Sequence, residues 1–170
     1  MNNTVDVREV GLRDGLQLVK TVLSTATKLD WIQQQVNCGF TNIEVTSFVP
    51  PVVIPQFADA PDVLAGSLKI PSLHAAVLVP NLKWGLTALD HGAQKINFVL
   101  SVSEAHNKAN VRRSTDQSLA EFQQLVTERN HRGLKNSVEM AVSLATTFGC
   151  SLQGVVEERR VLNVAEQVLA

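Results

Sequence analysis

The sequence predicts an α/β fold built on a parallel sheet. Three observations carry that prediction. Short β-rich runs alternate with helical patterns along the whole chain. Several of these runs are nearly continuously apolar, as strands covered on both faces are. Their order, βαβαβαβαβα, implies parallel strands by the crossover rule. With 170 residues, 45% of them hydrophobic, the chain fits one compact domain with a sizeable core.

The strand-like runs are Val5–Val10, Asn42–Thr46, His74–Val79, Lys95–Val102 and Ser137–Leu144. Helical stretches lie near Thr25–Asn37, Ala60–Ala65, Leu82–His91 and Ser118–Arg132, with Ser114 and Gln117 placed to cap the fourth. A fifth covers about Glu157–Leu169, where Val161, Leu162, Ala165, Val168 and Leu169 form one stripe. A faint repeat supports this order. Val36–Val45 and Leu89–Phe98 each end a helix, place Gly39 or Gly92 just past it, and enter a strand three residues later. Gly133 repeats the device before the fifth strand.

The connections are asymmetric. Helix-to-strand turns are short, whereas those following strands are long and rich in special residues: Gly11–Gln17, Ser47–Gln56, Val79–Asn81, Ser103–Asn110 and Thr147–Gly154. In barrels and doubly wound sheets alike, the carboxyl ends of the strands form the functional face. The asymmetry therefore favours an enzyme over a passive scaffold, while leaving a barrel and an open sheet both possible. No G-x-G-x-x-G follows the first run and no P-loop occurs, which weighs against nucleotide folds.

Composition narrows the class further. Fifteen Lys and Arg stand against sixteen Asp and Glu, with no basic stripe for nucleic acid. No apolar run approaches the roughly 20 residues of a spanning helix. The opening residues lack the basic start and apolar centre of a signal peptide. Two cysteines, Cys38 and Cys150, cannot form a disulfide framework, so a reduced, cytoplasmic setting is expected.

The first connection concentrates chemistry. Arg13 and Asp14 sit in a turn punctuated by Gly11 and Gly15, where the backbone can fold tightly around a ligand. An Asp at the carboxyl end of a strand is a natural ligand for a hard cation such as Mg²⁺ or Mn²⁺. The adjacent Arg can fork a carboxylate or stabilise an oxyanion. The plainer alternative is an Asp-Gly turn with a solvated Arg. Glu44 lies within the second strand between Ile43 and Val45. A carboxylate there is costly unless paired, and Arg13 is a candidate partner; a strand-edge Glu reaching solvent is the alternative.

These residues resemble a known family. Glu9-Val-Gly-Leu-Arg-Asp-Gly-Leu-Gln17 is similar to the opening motif of 3-hydroxy-3-methylglutaryl-CoA (HMG-CoA) lyases, members of a superfamily of metal-dependent lyase and synthase barrels. Ile43–Val49 with Pro55–Asp59, Val79–Lys83, Ser101–Glu104 with Asn107 and Asn110, and Phe148–Cys150 resemble later blocks, in order, over nearly the whole chain. The resemblance implies a TIM (β/α)₈-type barrel, here about five βα units of an incomplete one, with residues 1–170 as the first part of a single catalytic domain. It also implies cleavage of a 3-hydroxy-3-substituted glutaryl-CoA to acetyl-CoA and a 3-keto acid. By the same match Asp14 would ligate a divalent cation (Mg²⁺ or Mn²⁺), and Arg13 and Glu44 would be the catalytic pair. Gln17, Ser47, Asn81 and Asn110 would bind substrate, an acyl-CoA, and the complete protein would be a possible homodimer. A synthase condensing acetyl-CoA with a 2-keto acid, and an inactive fragment, are the alternative readings.

The chain also departs from the pattern. Leu12 stands where Pro is common, Leu18-Val19 replaces Asn-Glu, and Ser151 follows Cys150 where Pro is usual. The family completes its metal site with a His-x-His from a later strand and uses a Cys in a later loop. Here His74, His91, His106 and His131 are too far apart for that pair. His106 is a candidate for touching substrate, or a surface residue. Lys108, Arg112 and Arg113 could meet CoA phosphates or form a solvated basic loop. Cys150 reads as structural and Cys38 as a small buried residue. With five units where a closed barrel needs eight, these residues are expected to lack activity on their own and to self-associate.

Overall fold

The computed structural model describes residues 5–170. Four parallel strands form one unclosed sheet in the order β1–β2–β3–β4: β1 Asn42–Ser47, β2 His74–Val79, β3 Lys95–Ser101 and β4 Glu139–Ala145. Among the described residues six α-helices accompany them: α1 Thr25–Asn37, α2 Ala60–Ser67, α3 Leu82–Asp90, α4 Glu104–Val111, α5 Thr115–His131 and α6 Glu158–Leu169.

The first expected strand, Val5–Val10, does not form as such. It is reduced to one bridge, in which Glu9 N–H donates to the Asn42 carbonyl (2.9 Å) and Glu44 N–H donates to the Glu9 carbonyl (2.8 Å). Val5 and Val7 remain largely exposed, and Val10 partly so, so a longer ladder would bury little. The expected loop Ser103–Asn110 is instead helix α4. No apolar stripe announces it. It is held by the Ser103 cap and by buried Asn107, whose side chain accepts from Ser101 N–H and whose NH₂ shares its two hydrogens among the Arg113 carbonyl, the Ser114 carbonyl and the Ser118 hydroxyl. Cys38 is exposed rather than buried: it is the C-cap of α1, outside the helix's packed face.

Other expectations hold. Ser114 and Gln117 form a reciprocal capping box, although α5 begins at Thr115 rather than Ser118. Gly39, Gly92 and Gly133 have φ of 98°, 77° and 72°, the left-handed conformation that ends these helices.

Residues paired across a parallel ladder share a face, and the register sorts the strands into an apolar side and a polar one. Ile43, Ala75, Val77, Ile96, Phe98 and Leu100 face the helices and are fully buried. The opposite side carries Asn42, His74, Lys95 and Glu139 at the strands' amino ends. Lys95, nearly buried, pairs with Glu139, which also lies 3.5 Å from His74. In barrels, charged layers at this end support stability rather than chemistry.

Helix packing is close where glycine permits it. A Cβ on Gly85 of α3 would come within 2.4 Å of Leu125 of α5, a fully buried side chain. Gly85→Ala is therefore expected to destabilise the protein by about 1–3 kcal/mol, the usual range for overpacking. Chemical denaturation measures this, and a neutral or stabilising result would show that the α3–α5 contact is loose.

Candidate active site

The turn following Glu9 is a single π-helical turn, Gly11–Gly15. Such turns are uncommon and gather at functional sites. Arg13 N–H and Asp14 N–H both donate to the Val10 carbonyl, at 3.1 and 2.7 Å. Leu12 and Leu16 anchor the turn in the core, so Arg13 and Asp14 are presented at its outer side. Glu9 accepts the N–H of Gly11 through its carboxylate. A Cβ on Gly11 would lie 2.6 Å from that carboxylate oxygen, so a side chain there would displace the Glu9 carboxylate.

The turn and β1 meet through charge. Glu44 is 1% exposed, in the middle of a strand buried along its whole length. The ladder shifts register between Glu44 and Thr46, a bulge of the kind that re-aims side chains beside active sites. Glu44 Oε1 accepts from Arg13 Nε, and Arg13 Nη1 donates to Asp14 Oδ1 at 2.7 Å. One guanidinium thus bridges two carboxylates. The pairing inferred from the cost of burying Glu44 is present.

A contact not foreseen from the sequence occupies the other oxygen. Asn97 Nδ2 of β3 donates to Glu44 Oε2 at 3.0 Å, and Ser143 Oγ of β4 donates to Asn97 Oδ1 at 2.9 Å. Glu44 and Asn97 lie on strands separated by β2, the alternate-strand layering of barrel interiors. Opposite Glu44 on β2 is Ala76, small enough to leave that span open. The only signal in the sequence was a polar residue inside the apolar run Ile96-Asn-Phe-Val-Leu100.

The other candidate residues are dispersed. Ser47 Oγ donates to the Leu78 carbonyl at 3.1 Å, and Asn81 caps α3 by accepting from Trp84 N–H. Gln17, four residues past Arg13, and Asn110 are both exposed, and neither bonds to the Arg13–Glu44 pair. His106 Nδ1 lies 2.8 Å from Ser101 Oγ. Lys108 pairs with Glu104 and Arg113 with Glu121, while Arg112 is exposed at the end of α4. Cys150 is buried. The Ser103 hydroxyl, followed by backbone N–H groups of Leu152, Gln153 and His106, holds its thiol below the ordinary range, against desolvation that pushes it up.

Asp14 suits a hard cation: it is an oxygen ligand, 66% exposed, with Oδ1 bound to Arg13. It stands alone, however. Among the described residues no three His, Cys, Asp or Glu side chains converge as a metal site. The donor set of these residues does not by itself hold a cation.

The described residues thus form an unclosed parallel α/β sheet in which one Arg bridges two carboxylates beside β1. The chain belongs to the HMGL-like family, whose model matches residues 4–170. It is 36% identical over 162 residues to the hydroxymethylglutaryl-CoA lyase YngG of Bacillus subtilis, covering 95% of this chain and 53% of that protein. It is 35% identical over 164 residues to the cytoplasmic 3-hydroxy-3-methylglutaryl-CoA lyase of Rattus norvegicus, covering 96% and 47%. An HMG-CoA lyase from Acinetobacter baumannii, solved with coenzyme A and 3-methylmalate, superposes with a TM-score of 0.87 at 38% identity, covering 95% of this chain and 52% of that one. The chain thus spans about half the length of the relatives it matches.

Proposed function

We propose that the protein acts in the cleavage of a 3-hydroxy-3-substituted glutaryl-CoA to acetyl-CoA and a 3-keto acid. The observation that carries this reading is the Arg13 guanidinium held between buried Glu44 and exposed Asp14. In the reaction a base removes the C3 hydroxyl proton and the C3–O⁻ collapses to a carbonyl. The C2–C3 bond breaks, and its electron pair becomes the enolate of acetyl-CoA, which then takes up a proton.

Within that reaction Arg13 stabilises the developing oxyanion. Among the described residues its Nη2 makes no hydrogen bond, leaving donors free for substrate. Glu44, buried and engaged at both oxygens, acts through Arg13 by fixing the guanidinium plane. The family reading adds a divalent cation, Mg²⁺ or Mn²⁺, with Asp14 as its one ligand from these residues. Bound, such an ion would supply a template and a Lewis acid for substrate oxygens. Gln17, Ser47, Asn81 and Asn110 remain proposed substrate contacts. We place the described residues in the opening part of a barrel catalytic domain, with an acyl-CoA partner, a cytoplasmic setting and a homodimeric assembly. No helix among the described residues is long and apolar enough to cross a membrane.

The test is product analysis of the full-length protein incubated with 3-hydroxy-3-methylglutaryl-CoA, with and without Mg²⁺. Acetyl-CoA and acetoacetate should appear together in equal amounts. Their absence under all metal conditions sinks the reading, and condensation of acetyl-CoA with a 2-keto acid would replace it by a synthase. Asp14→Asn is expected to lower turnover severely and raise the Mg²⁺ concentration needed for half-activation, with little change in thermal stability because Asp14 is exposed. Unchanged metal dependence in that variant removes Asp14 from the site.

A further inference from the structure

We infer that Asn97 is a positioning residue for Glu44, itself oriented by Ser143, so that a hydrogen-bonded chain running Ser143–Asn97–Glu44–Arg13 fixes the guanidinium at the site. The role of this chain in turnover rests on the lyase reading; its existence does not.

The direction of each bond follows from chemistry rather than from how an amide is drawn. Glu44 as a carboxylate only accepts, so the group that Asn97 turns toward it must be the NH₂. The Asn97 carbonyl then faces Ser143, whose hydroxyl must donate. Reversing the amide would set oxygen against oxygen at Glu44. Asn97 and Glu44 are 5% and 1% exposed, so a lost bond there is not replaced by water at little cost. Arg13 reaches only Oε1 of Glu44; without a donor at Oε2 the carboxylate could rotate about its final bond and carry the guanidinium with it. Asn97 is the only described side chain that donates to Oε2.

Position explains why β3 supplies this residue. Asn97 shares the polar face with Lys95, two residues toward the amino end, where the Lys95–Glu139 pair forms a separate layer. The two layers are distinct. The lower one joins β3 to β4 by charge, and the upper joins β1 to β3 and β4 by neutral donors. A neutral amide at position 97 satisfies Glu44 without supplying a second cation to compete with Arg13 for it.

The experiment has two arms. In the first, kinetics of the full-length protein with 3-hydroxy-3-methylglutaryl-CoA compare wild type, Asn97→Leu and Ser143→Ala. Asn97→Leu should lower kcat on the order of 10- to 100-fold, the range for lost support of a placed charged group. KM should change by less than about threefold, since no substrate contact is removed. Ser143→Ala should act in the same direction but less. A loss confined to KM, or an unchanged kcat in a folded Asn97→Leu protein, overturns the inference. In the second arm, NMR of the same full-length protein follows the Asn97 side-chain amide protons, which should be protected from exchange and lose that protection in Ser143→Ala. Unprotected protons in wild type also overturn it. Protected protons in a protein that cleaves no acyl-CoA would leave the chain of bonds standing and remove its catalytic role together with the lyase reading.

Discussion

Arg13→Gln is expected to lower kcat by about 10²–10³, with a much smaller change in KM. Losing one preorganised donor at an oxyanion costs that much, and here a full positive charge is lost with it. The effect belongs to the transition state because the enolate's charge appears only as the C2–C3 bond breaks. The substitution also touches stability. Removing one partner of a buried pair costs about 3–5 kcal/mol where nothing replaces it. Gln can still donate one hydrogen bond and Asn97 still holds Oε2, so the loss should fall below that range. Adding Glu44→Gln to Arg13→Gln removes the stranded charge and should recover folding without recovering turnover. Steady-state kinetics and thermal unfolding on the same samples separate the two effects. A loss lying wholly in KM would make Arg13 a binding residue only.

Asn107→Leu should be the most damaging single substitution outside the site, lowering stability by about 3 kcal/mol or more, roughly 6–12 °C in Tm. Its side chain accepts from Ser101 N–H, its NH₂ has two carbonyls and the Ser118 hydroxyl within hydrogen-bond distance, and it is 1% exposed. Leucine keeps its branching but leaves buried donors and acceptors without partners, and each orphan costs about 1–3 kcal/mol. The damage should concentrate where α4, the start of α5 and the end of β3 meet. Hydrogen exchange of Ser101 N–H would locate it. Asn110→Ala, three residues on and exposed, should change stability by no more than about 0.5 kcal/mol. Equal effects of the two substitutions would mean that Asn107 is not the tie between these elements.

Asp59 shows the same division between what a pattern marks and what contact explains. The sequence marks Pro55–Asp59 only as a block resembling one in the lyases. In the structure Asp59 accepts from Thr25 Oγ1 and from Lys28 Nζ, and Lys28, 2% exposed, also donates to the Gln56 carbonyl. This clamp ties α1 to the start of α2. Lys28 lies in the first turn of α1, and its burial depends on a partner 31 residues away.

Local rules determined most of the framework. The apolar runs of β1, β2 and β3, the glycines past α1, α3 and α5, and the Ser114–Gln117 capping box each depend on residues within one or two turns of chain. Those signals survive folding unchanged, so the parallel α/β order could be read from them. The Arg13–Glu44 pair was legible for a related reason: a carboxylate inside an apolar strand must find a cation, and the charged turn one strand earlier was a candidate to supply it. The tertiary structure alone decided the remainder. Val5–Val10 has a strand's composition but forms one bridge, because pairing is rewarded only where a ladder buries surface. Helix α4 has no stripe to announce it and exists through Asn107, whose partners come from three separate segments. Asn97 reaches Glu44 across 53 residues of sequence and one intervening strand. No periodicity encodes that meeting; the register of β1 through β3 and the small side chain of Ala76 create it.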